Sequence, residues 1–221
     1  MRTRPAKFLS LAWIVSFSLL AAAQSGKVET IGALSDNSVP DSVRQSLEDK
    51  GYRLTLDDPK PTCELWLRKT VPAAAKKGPE AAAYPQLAES VMAGVIHFPE
   101  NAADFRGHRV PAGFYTLRYE LMPDDGNHLG AAPNPDFLLL IPASLDPDPN
   151  ASFKFQDLVS MSAKASGTKH PSPLSLAPPD KVGAPAVKKD DQDHWIFSSS
   201  VKLSTGEEIP LFLIVKGTAQ Q

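Results

Sequence analysis

Cysteine is nearly absent from this sequence, since Cys63 is the only one among 221 residues. A single thiol cannot form an internal disulfide, so the chain is not a small, cysteine-dense secreted scaffold. The segment around Cys63 alternates as a strand does, with Cys63 and Leu65 on one face and Trp66 on the other. We expect Cys63 to be a small buried residue, because a reactive thiol needs an exposed, electropositive setting.

Long basic runs are also missing, and the formal net charge is −2. A nucleic-acid surface needs clustered lysine and arginine to displace counterions from phosphate, so no nucleic-acid partner is predicted. The same composition disfavours binding to an anionic membrane surface.

The signatures of common catalytic sites are absent as well. The sequence has no Gly-x-Ser-x-Gly elbow, no Ser-x-x-Lys pair and no glycine-rich phosphate loop. None of the five histidines forms the His-Glu-x-x-His pattern of a zinc protease. No catalytic residue is predicted, and a non-enzymatic protein is the favoured interpretation.

Residues 1–24 have the pattern of a secretory signal peptide. A positive start is followed by an apolar run from Phe8 to Ala23, and the three alanines at 21–23 form a small-residue cleavage site before Gln24. The run is short for a helix that crosses about 30 Å of hydrocarbon, so an uncleaved anchor is the less favoured alternative. We predict an exported protein, periplasmic or extracellular, with no integral membrane segment after signal cleavage.

Short strand patterns separated by proline- and glycine-rich turns fill most of the remaining chain. The predicted strands are 27–34, 52–56, the strand around Cys63, 89–99, 114–122, 137–141, 194–203 and 208–217. Two short helices are predicted, one from Ser38 to a C-terminal Gly51 and one over 153–167. The combination predicts a mainly β fold, an antiparallel β-sandwich of about eight strands, with a jelly-roll-like arrangement as a variant.

Two segments lack a consistent apolar face. Residues 72–88 are rich in alanine, lysine and proline, and we expect an exposed connection there. Residues 168–193 are rich in proline and lysine, and we expect a flexible or extended loop that buries too little apolar surface to offset its conformational entropy. A linker is the alternative, but residues 194–221 are too few to form a second domain. Residues 25–221 are therefore predicted to form a single domain.

Alternation predicts which side chains face the core in two of the strands. In 89–99, Met92 and Ile96 share one face. In 114–122, the tyrosines and leucines share one face, and the other face holds Thr116, Arg118 and Glu120. The second strand is predicted to be half-buried, with these three side chains pointing away from the core.

A polar loop between two strong strand patterns is the candidate site. Asp124, Asp125 and His128 could bind a divalent metal ion or perform acid–base chemistry. The same residues suit a tight turn, which is the favoured interpretation. A further alternative joins His128 to His97 and His108, which flank a turn. No cofactor is predicted, and a divalent metal ion at these residues is the alternative.

The motif Gly-x-x-Val-Pro-Ala-Gly-x-Tyr-x-Leu occupies residues 107–117. In this motif the chain resembles secreted bacterial β-sandwich proteins classed as a domain of unknown function, over residues 90–165. The resemblance implies export and a sandwich fold, and it implies no catalytic residue.

The sequence thus predicts an exported binding or envelope-associated module, with an envelope protein or a glycan as its partner. One alternative is a metal-binding protein or metal-dependent enzyme that uses His128 with Asp124 or Asp125. The other is a carbohydrate-binding accessory domain, in which Trp66 or Trp195 stacks on a sugar ring. Packing of Trp66 beneath a loop is favoured over stacking.

Overall fold

Strands dominate the computed structural model of the protein, which describes residues 24–76, 78–123 and 134–219. Within these ranges there are twelve strands, two α-helices and one 3-10 turn. The mainly β prediction with two short helices is confirmed. The strand count exceeds the prediction because four of the strands have only two to four residues.

The elements follow one another along the chain as follows. They are β1 (Lys27–Gly32), α1 (Asp41–Ser46), β2 (Lys50–Thr55), β3 (Cys63–Leu67), β4 (Met92–Phe98), β5 (Ala102–Ala103), β6 (Arg109–Val110), β7 (Gly113–Leu121), β8 (Asp136–Pro142), the 3-10 turn (Ala143–Leu145), α2 (Phe155–Ser166), β9 (Pro173–Ser175), β10 (Ala186–Lys189), β11 (Trp195–Lys202) and β12 (Glu208–Lys216). No helix in the described ranges is long and apolar enough to cross a membrane.

Two antiparallel sheets form the sandwich. The large sheet has the strand order β1-β2-β3-β4-β7-β8-β9, and the small sheet has the order β10-β11-β12. Neighbouring strands follow sequence order apart from the separate β5–β6 hairpin, so each sheet is a meander rather than a jelly roll. The inner faces pack against each other around one apolar cluster, in which the rings of Tyr52 and Phe197 lie 5.4 Å apart.

Short bridges join the two sheets at both edges. Ser25 pairs with Lys188, and the N–H of Lys189 donates to the carbonyl of Gln24 at 2.8 Å. At the other edge Leu176 pairs with Leu213. Backbone groups at the sheet edges thus find partners in the opposite sheet, which limits edge-to-edge pairing with other chains.

Both helices cover the outer face of the large sheet. In α1, Val43 packs in one cluster with Trp66 and Val95, and in α2, Leu158 packs with Ile141. Helix α1 ends earlier than predicted, because the chain becomes extended at Leu47, which pairs with Arg68 in a β-bridge. Helix α2 matches its prediction closely and ends at Gly167.

The second face of β7 is covered, so the prediction of a half-buried strand is wrong. Thr116 and Arg118 are fully buried, and Glu120 is nearly so.

In β4, a register shift near Gly94 places Met92 with Val95 on the outer face, whereas it was expected to share the face of Ile96. An inserted residue reverses the alternation on one side of a bulge.

The two segments without a predicted apolar face also contribute to the fold. In 72–88, Tyr84 and Leu87 are buried in the main core, so this connection is not the exposed one that was expected. In 168–193, expected as a loop, β9 pairs with β8 and β10 pairs with β11. Each of these strands is too short for its alternation to stand out among the prolines.

Candidate functional site

A tight turn between β5 and β6 fixes a histidine against a buried carboxylate. Oδ1 of Asp104 accepts the backbone N–H groups of Arg106 and His108, each at 2.9 Å. The N–H of Asp104 donates to the carbonyl of His108, also at 2.9 Å. Gly107 has φ +81°, a left-handed conformation that glycine adopts readily. Backbone geometry therefore determines where the imidazole of His108 lies.

The second oxygen of this carboxylate is directed at the imidazole. Oδ2 of Asp104 lies 3.4 Å from Nδ1 of His108, and the Asp104 side chain is fully buried while that of His108 is one-third exposed. Both atoms are buried and have no hydrogen bond with any described residue. With Nδ1 facing the carboxylate, Nε2 is the ring nitrogen of His108 that is left for a ligand.

A second imidazole lies beside this one. The ring of His170, from the connection after α2, is parallel to the ring of His108 within 5°, with 6.4 Å between centroids. His170 is exposed, and its backbone is held by Thr168, whose hydroxyl accepts the N–H of His170 at 3.1 Å. We call the side chains of Asp104, His108 and His170 the histidine corner.

The turn before β11 repeats the backbone arrangement of the histidine corner. Oδ1 of Asp190 accepts the N–H groups of Gln192 and His194, and the N–H of Asp190 donates to the carbonyl of His194. Here both ring nitrogens of His194 have partners, with Nδ1 3.2 Å from Asp190 Oδ2 and Nε2 3.1 Å from the carbonyl of Thr218. His194 is buried and serves the fold.

His97 belongs to a different network, on the outer face of the large sheet. Its Nδ1 lies 3.1 Å from Oε2 of Glu64, whose other oxygen accepts the Nε–H of Arg53 at 2.8 Å. The ring of His97 stacks on Phe114 with 4.1 Å between centroids. Arg53 and Glu64 lie on the neighbouring strands β2 and β3, where a pair of opposite charges stabilises the sheet.

The predicted metal residues do not form one cluster in the described ranges. Residues 24–76, 78–123 and 134–219 hold no group of three or more His, Cys, Asp or Glu side chains that could enclose a metal ion. His97 and His108 have separate partners. Asp124, Asp125 and His128 lie outside the described residues.

Asp136, at the start of β8, fixes a long connection. Its carboxylate accepts the N–H groups of Ala83 at 2.8 Å and Tyr84 at 3.0 Å, and the hydroxyl of Tyr119 at 2.6 Å. Burial raises the pKa of Tyr119, and Asp136 acts in the same direction. Since Asp136 is fully buried, these bonds replace the hydration that it loses.

A groove of about 430 Å³ lies beside this connection. We call it the Tyr84 groove, and it is lined by Ala83, Tyr84, Gln86, Pro179, Asp180, Lys181, Val182, Ile209 and Pro210. The hydroxyl of Tyr84 donates to the carbonyl of Ala177 at 2.8 Å and accepts the N–H of Phe212 at 3.0 Å. One wall of the groove is therefore fixed to the segment after β9 and to β12 of the small sheet.

Arg118, buried on the outer face of the large sheet, holds a second long connection. Its guanidinium donates to both oxygens of Asp146 at 2.7 Å and to the carbonyls of Ala151 and Asp148. Thr116 also donates to Asp146, at 2.6 Å. The bidentate geometry is the strongest form of this ion pair, and it fastens residues 146–151 to β7.

Cys63 and the two described tryptophans are core residues. Burial raises the pKa of the Cys63 thiol to about 12, so the thiolate is disfavoured and the prediction of a buried structural cysteine is confirmed. Trp66 is 4% exposed and Trp195 is 1% exposed. Trp66 also donates its indole N–H to the carbonyl of Gly32 at 2.9 Å. Neither ring is accessible for stacking on a sugar.

Comparisons with protein families, with curated proteins and with solved structures give no significant match to this chain.

Asp104 and Arg118 were missed as organising residues by the sequence reasoning, for different reasons. Asp104 is four residues before His108, and Asp-x-x-Gly-His is a recognisable side-chain-to-backbone turn. Arg118 gave no such signal, because its partner Asp146 lies beyond another strand. The contact of His108 with His170 likewise depends on tertiary structure alone.

Proposed function

We propose that the protein is an exported, non-enzymatic binding module of the cell envelope, and that the Tyr84 groove holds its ligand. The groove has the size of a small-ligand site, for which a few hundred Å³ is typical. The observation that carries the proposal is that Asp136 and Tyr84 fix one wall of this groove before any ligand binds. A wall that is already ordered reduces the entropy lost on binding.

The side chains of the groove favour an apolar segment as the ligand. Pro179, Val182 and Pro210 form much of its lining, while Asp180 and Lys181 bring one charge of each sign. Apolar walls with a few polar groups suit a peptide segment that carries both kinds of side chain. An envelope protein is therefore favoured over a glycan, since the described tryptophans are buried.

The start of the sandwich agrees with the proposed export. Gln24, which lies directly after the expected cleavage site, already accepts a hydrogen bond from Lys189 of β10. Cleavage before Gln24 would leave this edge bridge intact.

Site-specific photo-crosslinking in the exporting cell tests the proposed ligand. A photoreactive phenylalanine analogue is placed at Gln86 in the groove and, for comparison, at the exposed Lys164 on α2. We expect one discrete adduct with an envelope protein from position 86 and none from position 164. Val182→Glu should abolish the adduct, because it places a charge against the apolar segment.

A matched substitution controls for general damage. Val159→Glu introduces the same change at a partly exposed position of α2, away from the groove, and the adduct should persist. An adduct that survives Val182→Glu, or that forms equally from position 164, would refute the groove as the site. N-terminal sequencing of the same exported protein should begin at Gln24, and a retained N-terminal segment would refute cleavage.

A further inference from the structure

We propose that the histidine corner binds a borderline transition-metal ion, such as Cu²⁺, Ni²⁺ or Zn²⁺, through the imidazoles of His108 and His170. This site differs from the Tyr84 groove and does not depend on the proposed binding of an envelope protein. Its residues come from two separate segments, the β5–β6 turn and the connection after α2. Three features of the molecule support the site: the orientation of His108, its contrast with His194, and the position of His170.

The carboxylate behind His108 is the first argument. A metal-bound histidine usually directs its other ring nitrogen at a carboxylate or carbonyl, which fixes the ring and makes the bound nitrogen more basic. Oδ2 of Asp104 lies 3.4 Å from Nδ1 of His108, and neither atom has another partner among the described residues, so a small rotation of the imidazole would form this bond. Asp104 would act from behind the imidazole as a positioning residue, without touching the metal ion.

The contrast between the two Asp-x-x-x-His turns is the second argument. Both turns use the same backbone hydrogen bonds, but within the described ranges Nε2 has a protein partner in His194 and none in His108. Among the residues that the structure describes, His108 has no hydrogen bond at this atom, and its side chain is one-third exposed. Nε2 of His108 therefore remains available as a metal ligand, whereas Nε2 of His194 is used in a hydrogen bond that stabilises the fold.

The position of His170 supplies the second donor. A ring centroid lies about 3.2 Å from an ion that one ring nitrogen binds at about 2.0–2.1 Å, so two ligating imidazoles have centroids up to about 6.4 Å apart. The observed separation of 6.4 Å lies at this upper bound. Because His170 is exposed, rotation of its side chain can bring a ring nitrogen closer to His108.

The surrounding charges indicate which ions the site accepts. Arg106, Arg109 and Lys169 are exposed neighbours in sequence, and they disfavour ions held mainly by charge, such as Ca²⁺ and Mg²⁺. Imidazole nitrogen suits copper, nickel and zinc, of which Cu²⁺ binds most tightly to a given set of ligands. Water would complete the coordination of the ion.

Titration of the mature protein with Cu²⁺, followed by calorimetry and electron paramagnetic resonance, tests the site. We expect one ion per chain, with two imidazole nitrogens in its spectrum. His170→Ala and His108→Ala should each weaken binding at least tenfold and leave one imidazole nitrogen. Asp104→Asn should weaken binding about tenfold with both nitrogens retained, as loss of an outer-shell partner does. Millimolar Mg²⁺ should not compete.

Two control variants separate this site from others on the chain. His97→Ala removes an imidazole already paired with Glu64, and His128→Ala removes the histidine of the predicted polar loop. Neither should change the affinity by more than twofold. Loss of binding in His128→Ala but not in His170→Ala would overturn the proposal. Absence of binding below about 100 µM Cu²⁺, or binding unchanged in His170→Ala, would overturn it as well. His170 is exposed, so its removal tests the site without threatening the fold.

Discussion

Burial changes the acid–base chemistry of the Glu120 side chain. Alternation along β7 places Thr116, Arg118 and Glu120 on one face, as predicted, but the sequence gives no sign that this face is buried. The cover over Thr116 and Arg118 comes from residues 146–151, which lie beyond β8. The local sequence pattern thus predicts to which face of the strand a side chain points, whereas its burial depends on segments that are distant in sequence.

The pH dependence of stability should reveal the burial of Glu120. Burial raises its pKa from 4.5 to about 7, Glu89 acts in the same direction, and the N–H of Leu121 opposes the shift. The folded state therefore holds the proton more tightly. The resulting stabilisation is complete below about pH 4.5 and is lost as the pH rises through about 7. Glu120→Gln should match the wild type near pH 4.5 and exceed it at pH 8 by on the order of 2 kcal/mol in urea unfolding.

Glu89→Gln provides the comparison, and it should remove only part of the pH dependence, because burial is the larger cause of the shift. A difference between Glu120→Gln and the wild type that stays constant from pH 4.5 to 8 would contradict this explanation.

The helices and strands of this protein differ in how well their own local sequence predicts them. Helix α2 has buried residues at helical spacing, Leu158, Ser162 and Ala165, and its prediction is confirmed. Strands β9 and β10 were missed, because their pairing depends on partners in β8 and β11 rather than on a pattern of their own. The segment that links β8 to α2 also owes its position to side chains elsewhere, chiefly Arg118.

Loss of the Arg118 guanidinium should release this segment. Arg118→Met leaves the fully buried side chain of Asp146 without its ion-pair partner, so we expect a loss of about 3–5 kcal/mol in the free energy of unfolding. Amide hydrogen exchange should accelerate over residues 146–153. Replacing both partners with apolar residues, Arg118→Met with Asp146→Leu, should restore part of the stability.

Arg53→Met is the matched control, because Arg53 pairs with Glu64 at 2.8 Å while its side chain is 41% exposed. An exposed pair contributes at most about 1 kcal/mol. Equal losses in the free energy of unfolding from the two substitutions would show that the buried Arg118–Asp146 pair stabilises the fold no more than an exposed pair does.

The whole molecule confirms the predicted class and adds a feature that composition could not reveal. Turn-rich, alternating segments without a βαβ rhythm indicate an antiparallel sandwich. The bridges at its edges are single contacts such as Ser25 with Lys188 and Leu176 with Leu213, which leave no periodic trace. The candidate site was less predictable than the fold. His108 was named, but Asp104 and His170 become its neighbours only through tertiary structure.

Closure of the first edge should depend on the small size of Gly26. A Cβ at this position would lie 2.7 Å from the carbonyl oxygen of Thr55 and 2.8 Å from Val187. Gly26→Ala should therefore cost about 1–3 kcal/mol, as overpacking does. Gly32→Ala in β1 meets no atom within 4 Å and should be nearly neutral. Equal unfolding midpoints for the two variants would indicate that the edge is loosely packed.

The bridge between Gln24–Ser25 and Lys188–Lys189 also determines when this edge of the sandwich can form during folding. Residues 24–26 are synthesised long before their partner strand β10, which spans Ala186–Lys189. Contacts between such distant positions form slowly, because a long loop must close first. This edge of the sandwich therefore stays open until β10 has been synthesised and can pair with residues 24–26.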